Sequence, residues 1–180
     1  GYGVDCSVTP GIDWSGTPGD PRGNGGSNYS EFPHRPYFVD ADDISRPGEA
    51  RLLEAPVTIQ CGRLYQRIPW LYRVPVVRRF ANMIAPGPAW LSPAESTLDA
   101  MTRAARGARN AGIEHLELML HSSELMPGGS PSFPRVADIE QLYVSLRTLF
   151  EQISAWCVGM TLRDFLERMR GMPRPTLAGA

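Results

Sequence analysis

The chain contains no lysine; all 18 of its basic residues are arginine. That removes Schiff-base catalysis, which needs a side-chain amine. The arginines are scattered and the formal net charge is only −1. Bulk electrostatics therefore give no hold on nucleic acid or on an anionic membrane surface, and no nucleic-acid partner is expected. Cysteine is scarce as well. Cys6, Cys61 and Cys157 lie far apart and form no C-x-x-C or Cys/His cluster, which speaks against a zinc finger or a disulfide scaffold. They read as small buried hydrophobes. No apolar run approaches the roughly 20 residues that span a bilayer, so no transmembrane segment is expected. P-loop, G-x-G-x-x-G, G-x-S-x-G and H-E-x-x-H signatures are missing too. The chain opens on Gly1, directly in a strand-like pattern, and says nothing about a signal peptide.

What is present is the composition of a globular domain: 180 residues, 42% hydrophobic and 21% charged, enough for one domain with a real core. Tyr2, Val4, Cys6 and Val8 alternate with Gly3, Asp5 and Ser7, the pattern of a half-buried strand. Residues 10–36 form a long loop crowded with Gly, Pro, Ser and Asn, including Gly23-Asn24-Gly25-Gly26-Ser27; loops of this length are functional or disordered. A second strand is expected over 51–59, with Leu53, Ala55, Val57 and Ile59 on one face and Glu54 and Thr58 on the other. Residues 60–91, around Pro69-Trp70-Leu71-Tyr72, read as a short helix, a lid or an irregular crossing. Ser92, Pro93 and Glu95 predict a capped helix running to Asn110 and stopping at Gly112. A third strand follows over 114–121 and ends on His121, then a loop over 127–134. Asp138 is expected to cap a helix whose apolar stripe is Ile139, Leu142, Leu146, Leu149 and Ile153. A short strand over 156–159 leads to a last helix capped by Thr161 with Asp164, and residues 172–180 read as a frayed, flexible tail.

Strands alternating with helices predict an α/β fold with mainly parallel pairing. Each of three strands has one apolar face and carries ionisable groups on the other: Asp5, Glu54, and Glu117 with His121. In a barrel wrapped by helices the second face points into the lumen, and functional groups gather where the strands end. A sheet covered on both faces would have near-continuous apolar strands, so the pattern favours a barrel. His121, at a strand end before a glycine-rich loop, is the foremost candidate for proton transfer; its alternative is a structural histidine. Glu124 either orients that imidazole or is a solvated loop carboxylate, the latter favoured. Asp5 could hold an arginine or a metal-bound water, or satisfy loop amides. Trp14, beside Asp13, is either a platform on which a sugar stacks or plain core. His34 and His115 lack metal-ligand spacing and read as surface or structural residues, and Arg78-Arg79 as a solvated pair. A glycosidase would want two carboxylates, for which Asp5 with Glu54 or Glu117 are available.

Together these residues resemble the polysaccharide deacetylase family, in particular the subgroup among cell-surface polysaccharide biosynthesis proteins. Gly1-Tyr2-Gly3-Val4-Asp5-Cys6-Ser7-Val8-Thr9-Pro10 is similar to the family's G-Y-x-x-D-x-S-V-x-P strand, and Leu52-Leu53-Glu54-Ala55-Pro56 to its L-x-E-x-P strand. Leu118-Met119-Leu120-His121-Ser122-Ser123-Glu124-Leu125, followed by Pro127-Gly128-Gly129-Ser130-Pro131, resembles its late histidine motif. The resemblance implies a distorted (β/α) barrel, with residues 1–171 as its C-terminal part and the family's metal segment lying upstream of Gly1 in a longer parent. It implies removal of an acetyl group from an N-acetylated sugar or polysaccharide by hydrolysis of an amide. His121 would be the general acid that protonates the leaving amine. Asp5 corresponds loosely to a mid-barrel catalytic acid, and Trp14 and Glu124 to substrate-binding positions. It also implies a divalent metal, zinc or similar, whose Asp and His ligands are not in this chain. The competing readings are a related carbohydrate-active barrel such as a glycosidase, or a degenerate barrel serving as a binding module.

Overall fold

The apolar alternation over 53–59 sets the axis of the protein. The computed structural model describes residues 2–17, 26–62 and 87–172, and within it every residue from Leu53 to Ile59 is buried. Glu54 and Thr58, on the face expected to be polar, are buried with the rest, so this stretch is covered on both sides. Strand β1 (Val4–Asp5), β2 (Tyr37–Phe38) and β3 (Leu53–Glu54) form a sheet of order β1-β3-β2. β1 runs parallel to β3 and places Asp5 beside Glu54, while β2 runs antiparallel and places Tyr37 on the other side of Glu54. A second sheet pairs β4 (Ile59–Gln60) antiparallel with β5 (Ala89–Trp90). Among the described residues the strands form these two small sheets and no closed barrel. The strand expected over 51–59 is thus divided. Pro56, which has no N–H to give a ladder, lies between its halves. Ala55 and Val57 still donate to Asp5 O at 2.8 Å and Val8 O at 3.0 Å, so the first two segments remain side by side.

Helix α1 (Leu98–Asn110) begins later than Ser92, because Thr97 is its cap and its hydroxyl accepts from Ala100 N. The Ser92 carbonyl accepts from Glu95 N and Ser96 N in a separate turn. The helix ends where expected: Gly112 takes the left-handed conformation with φ 66°. The Arg35 guanidinium donates to the Ala111 and Gly112 carbonyls at 2.8 and 2.6 Å, a cation on the negative end of the helix dipole. Met101, Ala104, Ala105 and Ala108 form the buried face of α1, and their small size lets the helix lie close on β4. A Cβ on Gly107 would come within 3.0 Å of Gln60.

Helix α2 (Val136–Ser154) buries the expected stripe Ile139, Leu142, Leu146 and Leu149. Its cap is Arg135 rather than Asp138. Asp138 is the third helical residue, and its carboxylate reaches back to Arg135 N at 2.9 Å. The strand expected over 156–159 does not form, because Trp156 N and Cys157 N both donate to Ile153 O and close the end of α2. Helix α3 (Leu162–Gly171) is capped by Thr161, whose Oγ1 accepts from Asp164 N at 3.2 Å. It lies against β1, where a Cβ on Gly3 would meet Leu166 at 2.8 Å. The tail expected over 172–180 lies outside the described residues after Met172, as do Pro69-Trp70-Leu71-Tyr72 and Arg78-Arg79.

The core has two clusters. Ile12, Val57, Ile59 and Trp90 form one; Leu91, Met101, Ala105 and Leu149 form the other. Between them runs the segment that leads to His121. Leu116 and Leu118 lie against the second cluster and Met119 against the first, the alternation of an extended chain. Its backbone pairs at two points, Glu117 O accepting from Thr58 N at 3.1 Å and Met119 N donating to Leu91 O at 3.0 Å, but no ladder strand forms: Glu117 N bonds the Thr58 hydroxyl at 2.9 Å, while Leu91 N takes the Thr58 carbonyl at 2.8 Å. No helix among the described residues is long and apolar enough to cross a membrane.

Candidate functional site

Where the extended segment ends, His121 still has extended backbone (φ −90°, ψ 142°) and the chain tightens into a 3-10 turn at Ser122–Leu125. Glu124 N donates to His121 O at 3.0 Å, which folds the Glu124 side chain back beneath the imidazole. Glu124 Oε1 lies 2.9 Å from His121 Nδ1. The two groups have opposite environments. Glu124 is 4% exposed, whereas the His121 side chain is 64% exposed. A carboxylate at that position accepts the Nδ1 proton, fixes the tautomer and leaves Nε2 as the nitrogen that takes or gives a proton toward solvent. Among the described residues Glu124 Oε2 is buried with no hydrogen-bond partner. The solvated-loop expectation for Glu124 is overturned by this burial. Its carboxylate meets the His121 ring, the orienting alternative of the sequence reading.

The following loop holds the turn in place. Gly128, at φ 76°, donates to Phe133 O at 3.0 Å, and Gly129 donates to Met126 O at 3.0 Å. Gly129 passes so near the turn that a Cβ there would collide with the Ser123 carbonyl oxygen. Gly129→Ala is therefore expected to cost about 1–3 kcal/mol through overpacking against backbone. At roughly 2–4 °C per kcal/mol for a chain of this size, a thermal melt reads this directly. An unshifted melt would mean that the loop does not brace the turn. The same loop borders a cleft of about 510 Å³ that lies between the start of α1 and the first half of α2. Thr97, Leu98, Met101, Phe133, Gln141 and Leu142 are among its walls, and its size is within the range of small-molecule pockets. The helix residues that close it were not legible, since their contribution depends on how α1 and α2 meet.

The other candidates gather elsewhere. Asp5, Glu54 and Glu117 surround Cys6, whose thiol is pushed up to about 12 by burial and then by those three carboxylates. Glu54, 2% exposed, accepts from Val8 N at 3.3 Å. Burial and the neighbouring Asp5 raise its pKa to about 7, and burial likewise raises that of Glu117. Asp5 takes Ser7 N and Ser7 Oγ, both at 3.1 Å, and so satisfies a loop amide. No hydrogen bond joins Asp5 to His121. The pairing of Asp5 with Glu54 as glycosidase carboxylates meets a physical obstacle, because solvent does not reach Glu54. Trp14 donates from Nε1 to Thr9 Oγ1 at 2.8 Å and tilts against Trp90 at 6.1 Å between ring centroids, within the cluster that Met119 also joins. It is half-buried and attached to core. His115 is structural: its Nε2 lies 3.0 Å from Pro56 O, its ring stacks on Phe165, and burial lowers its pKa. Burial lowers the pKa of His34 as well. All three cysteines are half-buried and unpaired.

Among the described residues no three His, Cys, Asp or Glu are arranged to hold a metal ion, and the exposed His121 has only Glu124 as its acidic partner. No family model, curated protein or solved structure matches the chain.

Proposed function

We propose that this chain supplies the proton-donating side of a hydrolytic site acting on an N-acetylated sugar or polysaccharide, in the manner of the polysaccharide deacetylases it resembles. A part of their (β/α) barrel is the architecture proposed with it. The observation that supports the reading is the His121–Glu124 pair: an exposed imidazole at the end of an extended segment, bonded at 2.9 Å to a buried carboxylate. Amide cleavage needs a proton for the departing amine, and a positioned imidazolium is the group whose ordinary pKa suits that transfer near neutrality. Glu124 holds the ring by Nδ1 at 2.9 Å, so Nε2 carries the transferable proton. The cleft beside the loop over 127–134, with Phe133, Thr97 and Gln141 on its walls, offers an aromatic face and polar groups suited to a sugar ring. In the parent family a divalent metal activates the attacking water. Among the described residues no three His, Cys, Asp or Glu are arranged to hold one, and the resemblance places its ligands outside this chain.

The test is acetate release from N-acetylglucosamine oligomers, measured with the full natural gene product by enzymatic assay of free acetate and by the mass loss of the oligomer. Release that saturates with oligomer concentration and depends on His121 is expected. Saturable binding of the oligomers without acetate release would instead mark a binding module. Cleavage of the glycosidic link would mark a glycosidase.

A further inference from the structure

His121 and Glu124 are not among the walls of the cleft between the start of α1 and the first half of α2. One loop nonetheless joins the two places. Phe133, on the cleft wall, accepts from Gly128 N at 3.0 Å through its carbonyl. The next residue, Gly129, lies against the carbonyl of Ser123, two positions after His121. The imidazole and the cleft are therefore neighbours across that loop, and a sugar ring that fills the cleft is not the ring whose amide meets Nε2.

The cleft combines two kinds of surface. Met101 and Leu142, both buried, and Leu98, packed on the same core cluster, make part of it apolar, and Phe133 adds a half-buried aromatic ring. Several of its polar residues are engaged by their own chain. Thr97 Oγ1 accepts from Ala100 N, Ser96 Oγ from Trp90 N, and the Asp138 carboxylate from Arg135. Gln141 and Ser145, one helical turn apart on α2, have no such hydrogen bond among the described residues, which leaves an amide and a hydroxyl for a ligand. No basic side chain lines the cleft, so an anion would enter without a counter-charge. A neutral, hydroxyl-rich ring suits it: the aromatic side chain takes the C–H face, and the amide and hydroxyl take the ring oxygens. We infer that the cleft holds a non-reacting unit of the sugar chain while another unit meets His121, and that Phe133 and Gln141 set the affinity for that unit. The inference rests on the function proposed above and makes the cleft a determinant of binding rather than of the chemical step.

Titration calorimetry tests this, on the full natural gene product carrying His121→Gln so that turnover is low, with N-acetylglucosamine and its tetramer as ligands. The tetramer is expected to bind about tenfold or more tightly, because it engages both places. Phe133→Ala is expected to weaken tetramer binding about tenfold. Gln141→Ala, at an exposed position that leaves the buried face of α2 intact, is expected to weaken it about threefold. With His121 restored, both substitutions should raise KM for acetate release from the tetramer more than they lower kcat. Equal affinity for the monosaccharide and the tetramer overturns the inference, and so does tetramer binding that neither substitution weakens. The inference and the proposed function fail separately. Acetate release that depends on His121 but not on chain length removes the role of the cleft and keeps the function. Tetramer binding that depends on Phe133, without acetate release, keeps the cleft as a sugar site and removes the function.

Discussion

His121→Ala is expected to lower kcat for acetate release about 10²–10⁴-fold, the range that a positioned general acid contributes. The loss arises at one atom. With Nδ1 bonded to Glu124 at 2.9 Å, Nε2 is the nitrogen left to deliver a proton to the departing amine. Alanine also has a structural effect, because it leaves Glu124, 4% exposed, without its hydrogen-bond donor. A buried carboxylate deprived of its partner costs about 1–3 kcal/mol or more. His121→Gln separates the two effects. A glutamine amide can still donate to Glu124, and it cannot titrate, so this variant should melt near wild type and lose kcat nearly as far. Glu124→Gln keeps a hydrogen-bond partner for the ring and removes the carboxylate beside Nδ1. Its kcat should fall less than that of His121→Gln. Wild-type kcat in His121→Gln would end the general-acid assignment, whatever the activity of alanine.

The His121 segment shows what was legible in the sequence and what was not. Local chemistry was readable where it is completed by neighbours in the chain. Thr161 with Asp164, the stop at Gly112 and the apolar stripe of α2 are all local patterns, and each is found. The relation of His121 to Glu124 is also local, yet the carboxylate was expected in water, because burial is decided by what folds over it. Strands failed for the corresponding reason. The strand expected over 114–121 is an extended segment whose backbone pairs at two points, Thr58 N to Glu117 O and Met119 N to Leu91 O, and the bond from Glu117 N to Thr58 O that would continue a ladder is missing. Thr58 offers Glu117 N its hydroxyl instead. The polar faces of the strands did bring Asp5, Glu54 and Glu117 around Cys6. They did not bring His121, which lies past the end of that group, in solvent.

Glu54 yields the second large effect, a loss of stability as pH rises. Its carboxyl has an ordinary value of 4.5 and is raised to about 7 in the fold, by burial first and by Asp5 second. Between those values the folded chain keeps a proton that the unfolded chain has released. The stabilisation is therefore complete below pH 4.5 and disappears as pH passes through 7. At about 1.4 kcal/mol per pKa unit, the rise from 4.5 to about 7 corresponds to roughly 3–4 kcal/mol, a sizeable part of a typical folding free energy. Glu117, also raised by burial, acts in the same direction. Denaturant midpoints followed across this window should fall in the wild type, with little change in m-value. Glu54→Gln keeps an acceptor for Val8 N, now 3.3 Å from Oε1, and removes the charge beside Asp5. It should flatten the profile and exceed wild-type stability above neutrality. Glu54→Leu also removes the charge, but it leaves Val8 N unpaired and should give back part of that gain. If Glu54→Gln loses stability at alkaline pH, Glu54 has a cationic partner when ionised, and the acidic surroundings of Cys6 are not what governs it. The predicted order above neutrality is glutamine, then leucine, then glutamate, and it follows from charge burial outweighing one backbone hydrogen bond.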